Sequence, residues 1–157
     1  MKPDTMRIRA AESGDVIAIS EMLQQLVAVG KRSSPIDPDF VTDTYIHNPH
    51  GILCSLAEDD DGQLLGFQSL IRAHEDNRYG TPVGWGIIGT HVSPLAARRG
   101  VGSRLFETIV AAAVGAGLDK IEAFITSTNL EAQAFYEKIG FRTHRIADGA
   151  VCKVWST

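Results

Sequence analysis

The stretch Ala97-Arg98-Arg99-Gly100-Val101-Gly102-Ser103-Arg104-Leu105-Phe106 runs two arginines into a Gly-x-Gly and then into apolar residues at helical spacing. The pattern predicts a helix whose first turn is rich in glycine and flanked by positive charge. Such a junction suits a pyrophosphate for three reasons. Glycine has no Cβ, so its N–H can approach a ligand closely. The first N–H groups of a helix have no partner inside it. The helix dipole adds partial positive charge at the same end. Arg98, Arg99 and Arg104 stand near enough in sequence to add charge-assisted contacts. A tight turn that holds nothing fits the same residues, so the neighbouring sequence must decide. A P-loop is excluded, because no Gly-Lys-Ser/Thr follows. A dinucleotide fingerprint fits poorly. Its third glycine falls on Leu105, and the run from Val92 to Gly100 is too long for a tight strand-to-helix turn, although Glu122 does lie about 20 residues on.

Working outward, VGWGIIGTHV (83–92) reads as an apolar strand that Pro94 ends, and KIEAFI (120–125) as a second. Thr128 with Glu131 forms a capping-box pattern that opens a helix. Ala132, Phe135 and Ile139 line one side of that helix, and Gly140 stops it. FRTHRIA (141–147) and AVCKVWS (150–156) form a strand pair across Asp148-Gly149. Upstream, MRIRAA (6–11) alternates as a strand, and Ser13 stands ready to cap a helix carrying Val16, Ile19, Leu23, Leu26 and Val27. Gly30 ends that helix, and a shorter one passes through Phe40 and Tyr45 to stop near Asn48-Pro49. GILCSLAE (51–58) and QLLGFQSLIRA (63–73) are strands joined at Asp61-Gly62. The expected order is strand, two helices, three strands, helix, strand, helix, two strands. A mixed α/β sheet with helices on both faces accommodates it. With 157 residues and no repeat or linker, residues 1–157 read as a single domain.

The formal net charge of -4 argues against a nucleic-acid partner, which calls for a basic face. No apolar run approaches the ~18 residues of a membrane span, and the first residues lack the apolar core of a signal peptide. Cys54 and Cys152 sit in apolar strand patterns and read as buried, reduced thiols. A cytoplasmic setting is the expectation. His47 and His50 are three apart but have no third ligand near them, so no metal is expected. The acidic run Glu58 to Asp61 lacks the alternating ligands of a calcium loop and reads as a solvated turn.

HVSPLAARRGVGSRLF (91–106) followed by IEAFITSTNLEAQAFYEKIGF (121–141) resembles the GNAT superfamily of acyl-CoA-dependent N-acetyltransferases. The resemblance is strongest from Ile87 to Phe141 and extends loosely to the start of the chain. It implies a GNAT fold: a mixed, mostly antiparallel central sheet with a parallel, splayed strand pair and helices on both faces. It implies acetyl-CoA as co-substrate, and transfer of its acetyl group to a primary amine by direct attack, the acceptor being a small molecule. It also leaves room for a homodimer. Carried over residue by residue, His91 and Val92 offer backbone contacts to the pantetheine, and the Val92 N–H polarises the thioester carbonyl. Arg98, Arg99, Gly100, Val101, Gly102 and Ser103 take the pyrophosphate. Asn129 touches the pantetheine, and Tyr136 protonates the departing thiolate.

Two positions depart from the family pattern. Ala97 stands where relatives carry Arg or Gln, and Gly86 stands where many carry a glutamate base. A water chain, desolvation or an acid from elsewhere must then serve; Glu75 and Asp76 are candidates on position alone, and His91 is a further one. By resemblance the acceptor pocket draws on residues 26–45, 74–82 and 144–149, where Asp37, Asp39, Glu75 and Asp76 would suit a cationic amine. The competing reading is a non-catalytic acyl-CoA-binding sensor or interaction module with the same fold.

Overall fold

The computed structural model describes residues 5–33, 35–96 and 99–157. Seven strands run in the order β1 (Arg7–Ala10), β2 (Gly51–Glu58), β3 (Leu64–Arg72), β4 (Gly86–Val92), β5 (Lys120–Thr126), β7 (Ala150–Ser156) and β6 (Arg142–Ala147). Every neighbouring pair is antiparallel except β4 and β5. Helices α1 (Val16–Ala28) and α2 (Pro38–Val41) cover one face, packing Ile19, Met22, Leu23 and Val41 against Leu56 and Phe67. Helices α3 (Val101–Gly115) and α4 (Leu130–Lys138) serve the other. There Phe106, Ile109, Ala113 and Tyr136 meet Leu70, Ile88, Ile121, Ala123 and Ile125. The apolar stripe of α3, Val101, Leu105, Phe106, Ile109 and Ala113, repeats at the helical period, which is why it lies along the sheet. Among the described residues no helix is long and apolar enough to cross a membrane.

The element order matches the sequence expectation, and the boundaries differ where local chemistry decides them. β4 begins at Gly86 rather than Val83, because residues 82–85 turn: Trp85 N donates to Pro82 O, Gly84 N to Ala73 O, and Gly84 has φ +90°. The cap of α4 is Asn129, whose side chain accepts from Ala132 N at 3.0 Å. Thr128 therefore lies outside the helix, and Glu131 does not close a box with it but pairs with Lys31. Ser13 sits inside a short 3-10 turn capped by Glu12, and α1 follows directly.

β4 and β5 pair through only three residues, Gly86↔Ile121, Ile87↔Glu122 and Ile88↔Ala123. Beyond Ile88 both strands continue without pairing each other. β3 and β4 keep full register, from Arg72↔Gly86 to Gly66↔Val92. Alternation along β4 then sorts its residues. Gly86, Ile88, Thr90 and Val92 point toward the α3/α4 face, and Ile87, Gly89 and His91 toward the α1/α2 face.

Within the paired segment, Glu122 is fully buried. Its carboxylate accepts from Thr81 Oγ1 at 2.6 Å, from Arg145 Nη2 at 2.7 Å and Nε at 3.0 Å, and contacts His144 Nε2. Arg145 Nη2 also donates to Tyr79 O. One carboxylate thus ties the β3–β4 connection to β5 and β6. Burial pushes its pKa up, but the hydrogen bonds from Arg145, Thr81 and His144 outweigh burial and hold it below the usual glutamate range.

A depressed pKa contributes stability that is present above the unfolded value, ordinarily about 4.3, and is lost as pH falls through the folded one. Glu122→Gln is therefore expected to cost about 1–3 kcal/mol at pH 7. The gap in Tm to the wild type should close as pH falls below about 4. Thermal unfolding from pH 7 to pH 3 checks this, and a gap that stays constant over that range refutes it.

Candidate acetyl-CoA site

The diverging halves of β4 and β5 open into a cleft of about 870 Å³. Thr90, His91 and Val92 form one wall, and Thr126, Thr128, Asn129, Phe135 and Tyr136 another. Gly30 to Ser33 and the turn Gly100 to Ser103 flank its mouth.

The direction of the β4 backbone follows from its pairing. Ser93 N donates to Leu65 O at 2.8 Å, so Ser93 faces β3, and Phe67↔His91 is likewise a pair that exchanges hydrogen bonds. Thr90 and Val92, of opposite parity, turn their N–H and C=O groups away from β3, into the gap left by β5. His91 lines the cleft, but its backbone is spent on β3. Of the two residues expected to offer backbone groups, Val92 has them free for a ligand; Thr90, absent from that expectation, has the same orientation. A strand edge of this kind is completed by an extended amide-bearing chain.

At the other end, Gly100 caps α3 in the left-handed conformation, φ +73°, with open space where a Cβ would stand. The N–H groups of Val101, Gly102 and Ser103 follow at the helix start, and all three residues line the cleft. Gly102 is glycine for a different reason. A Cβ there would lie 2.6 Å from the Phe135 ring, so the missing side chain lets α4 pack against α3. Arg99 precedes Gly100, half-buried. Arg98 and Ala97 lie outside the described residues. Arg104 turns from the cleft: it reaches Met6 O and pairs with Glu107 at 3.8 Å.

Tyr136 is buried on α4 with its hydroxyl 2.8 Å from Thr90 Oγ1. Burial pushes its pKa up to about 12, against the lowering effect of Thr90, so it holds its proton. Asn129 lines the cleft and caps α4 at once. His91 stacks near Phe67, with Nε2 3.3 Å from the Tyr45 hydroxyl. Burial, with the nearby Arg32 charge, lowers its pKa to about 3, so it is a neutral imidazole.

The expected base positions do not converge. Gly86 faces the core, where a Cβ would lie 2.9 Å from both Leu118 Cδ1 and Leu70 Cδ1, so an acid there would be driven into hydrocarbon. Glu75 and Asp76 are exposed in the turn before β4 and, like Asp37 and Asp39, are not among the cleft's lining residues. Asp37 caps α2 by accepting from Phe40 N. The carboxylate that does line the cleft, Glu131, is paired with Lys31. His50 stacks on His74 at 4.1 Å. Both cysteines are thiols: burial raises the pKa of Cys54 to about 12, and that of Cys152 also rises, chiefly through burial.

The Acetyltransferase (GNAT) family profile matches residues 20–141. The chain belongs to the GNAT acetyltransferase family. It is similar in fold to a GCN5-related N-acetyltransferase from Kribbella flavida, at 20% identity, covering 97% of this chain and 98% of that one, with TM-score 0.78. The PaiA N-acetyltransferase of Thermoplasma acidophilum, solved with coenzyme A, aligns at 15% identity over 98% and 99%, with TM-score 0.74. A proposed acetyltransferase from Salmonella typhimurium, solved with acetyl-CoA, aligns at 18% over 96% and 93%, with TM-score 0.72. No curated protein matches. Acetyl transfer is therefore the general activity of this GNAT domain's family.

Calorimetric titration is expected to give saturable acetyl-CoA binding and none with NAD. Gly100→Ala, which must pay for a left-handed alanine and places a methyl at the helix mouth, is expected to weaken that binding about tenfold. Equal affinity of variant and wild type would remove the Gly100 turn from the binding site.

Proposed function

We propose that the chain is an acetyl-CoA-dependent N-acetyltransferase that acetylates a primary amine of a small molecule by direct attack. The observation that carries this reading is the position of the Tyr136 hydroxyl, in the splay and beside the strand whose Thr90 and Val92 amides face the gap. The residues fit acetyl-CoA: an open strand edge suits the pantetheine amides, and a glycine-capped helix start suits the pyrophosphate.

In this reading the Val92 N–H donates to the thioester oxygen, where negative charge grows in the transition state. The amine nitrogen forms the C–N bond as the C–S bond breaks. Tyr136 gives its proton to the departing sulfur. The proton shed by the nitrogen leaves to water, from which Tyr136 is reprotonated. Direct attack is supported by the two cysteines, one half-buried and one buried, whose pKa values are both raised chiefly by burial. An alkylamine titrating near 10.4 costs roughly 4–5 kcal/mol to deprotonate at pH 7. His91, with a pKa of about 3, is too weak a base to take that proton.

Arg32 bears on the acceptor. It lines the cleft on the α1/α2 side, donates to Pro35 O and lies over Phe40, and its buried Nε has no partner among the described residues. An acceptor carrying a carboxylate beside its amine would complete that guanidinium. The cationic acceptor expected from Asp37, Asp39, Glu75 and Asp76 is the second reading; none of the four lines the cleft.

Two measurements test the proposal. Tyr136→Phe is expected to lower kcat about 100-fold or more while the Kd for acetyl-CoA stays within about threefold. Unchanged turnover would favour the non-catalytic acyl-CoA-binding module. In an amine panel, amino acids should outpace polyamines, and Arg32→Gln should raise the KM for the amino acid about tenfold but leave that for acetyl-CoA. A rise confined to acetyl-CoA would assign Arg32 to the cofactor's phosphates.

A further inference from the structure

Three side chains run in hydrogen-bond contact from the buried core to the cleft wall, Gln68 behind Thr90 and Tyr136. Gln68 Nε2 lies 2.9 Å from Thr90 Oγ1, and Thr90 Oγ1 lies 2.8 Å from the Tyr136 hydroxyl. Gln68 Nε2 also lies 3.3 Å from the carbonyl of Gly102, in the first turn of α3. Gln68 and Thr90 stand directly opposite in the β3–β4 register, at a pair that does not exchange backbone hydrogen bonds, where facing side chains come closest. We infer that Gln68 and Thr90 are positioning residues that aim the Tyr136 proton into the cleft, a role that rests on the acetyltransferase reading above.

The inference turns on which group donates at each link. The Gly102 carbonyl can only accept, so the Gln68 atom facing it is the amide nitrogen; the reverse assignment would set two oxygens against each other. The amide nitrogen has two hydrogens, and both are then committed, one to Gly102 O and one to Thr90 Oγ1. Thr90 has a single hydroxyl hydrogen. With its oxygen receiving from Gln68, that hydrogen is available to Tyr136, the other hydrogen-bond partner of Thr90 Oγ1 among the described residues. The Tyr136 oxygen accepts it, and the phenol's own hydrogen is left to point away from Thr90, toward the space where the sulfur would lie. A backbone carbonyl at the start of the phosphate-side helix thereby fixes the orientation of the Gln68 amide, and the inferred order of donors runs outward from it.

Two further observations agree. Gln68 is fully buried, and its Oε1 has no partner among the described residues. A residue serving only to fill that space could be Leu or Met without stranding a buried acceptor. Thr90, through its side chain and its backbone amide together, also opposes the rise that burial imposes on the Tyr136 pKa. As the phenol loses its proton to the thiolate, the Thr90 hydroxyl already points at the charge that forms.

The experiment measures thiol release from acetyl-CoA, with the best acceptor of the amine panel, in Thr90→Val, Thr90→Ser, Tyr136→Phe and the Thr90→Val/Tyr136→Phe double variant. Thr90→Val keeps the shape of the side chain and removes the donor. Its kcat is expected to fall roughly 10- to 100-fold, the range for losing a hydrogen bond to a charged group, with the Kd for acetyl-CoA within about threefold. Thr90→Ser should recover most of the loss. The double variant should be no slower than Tyr136→Phe alone, because Thr90 acts only through the phenol. Losses that multiply in the double variant would give Thr90 a separate role and overturn the inference, as would a Thr90→Val enzyme with wild-type kcat. An inactive wild type would instead sink the acetyltransferase reading, and this inference with it.

Discussion

The structure depends on the brevity of one strand pairing. β4 and β5 share three register pairs and then part. A parallel neighbour would otherwise take the outward backbone groups of Thr90 and Val92, and a buried amide left without a partner is costly. The sheet bears that cost because the gap is open enough to be filled from outside. The other parts of the site are arranged around the opening: α3 starts at its mouth, α4 leans across it, and the segment after α1 forms its rim. Each is fixed by ordinary packing. The stripe of α3 lies against β2, β3 and β4, and α4 approaches α3 as closely as it does because position 102 has no side chain.

Much of this was legible before any coordinates. Apolar spacing and turn residues predicted every long element in order, since each obeys one period and most are bounded by Gly, Pro or Asp-Gly. The helix start at Gly100, Tyr136 and Asn129 were legible through the two motifs that carry them. What sequence could not reach depends on register. Thr90 and Gln68 belong to no motif; they matter because strands 22 residues apart in number set them face to face. Glu122 looked like a near-miss of a ribose ligand, and only the fold brings Thr81, His144 and Arg145 to it. Arg104 looked as useful as its neighbours, but its position on the helix turns it to Met6 and Glu107.

The chemistry of the cleft is also one-sided. In the proposed mechanism the acid is well provided: a buried phenol, a hydroxyl beside it and an amide behind that. The base is not. Under the proposed mechanism the site would invest its preorganised dipoles in the departure of sulfur rather than in the approach of nitrogen. Water and the pH of the medium would then govern how much acceptor arrives as free amine.

The sidedness of β4 has a consequence for how such a protein diversifies. The strand carries two independent tracks. Its even-numbered residues, Gly86, Ile88, Thr90 and Val92, face the α3/α4 core and the acid, and a larger residue at Gly86 meets Leu70 and Leu118 at once. Its odd-numbered residues, Ile87, Gly89 and His91, face α1 and α2, where Tyr45 and Phe67 stand. Under the proposed mechanism, substitutions on the second track would reshape the acceptor side without touching the residues proposed to release the thiol. A lineage built on this strand could therefore explore new acceptors one residue at a time while its leaving-group chemistry stays intact.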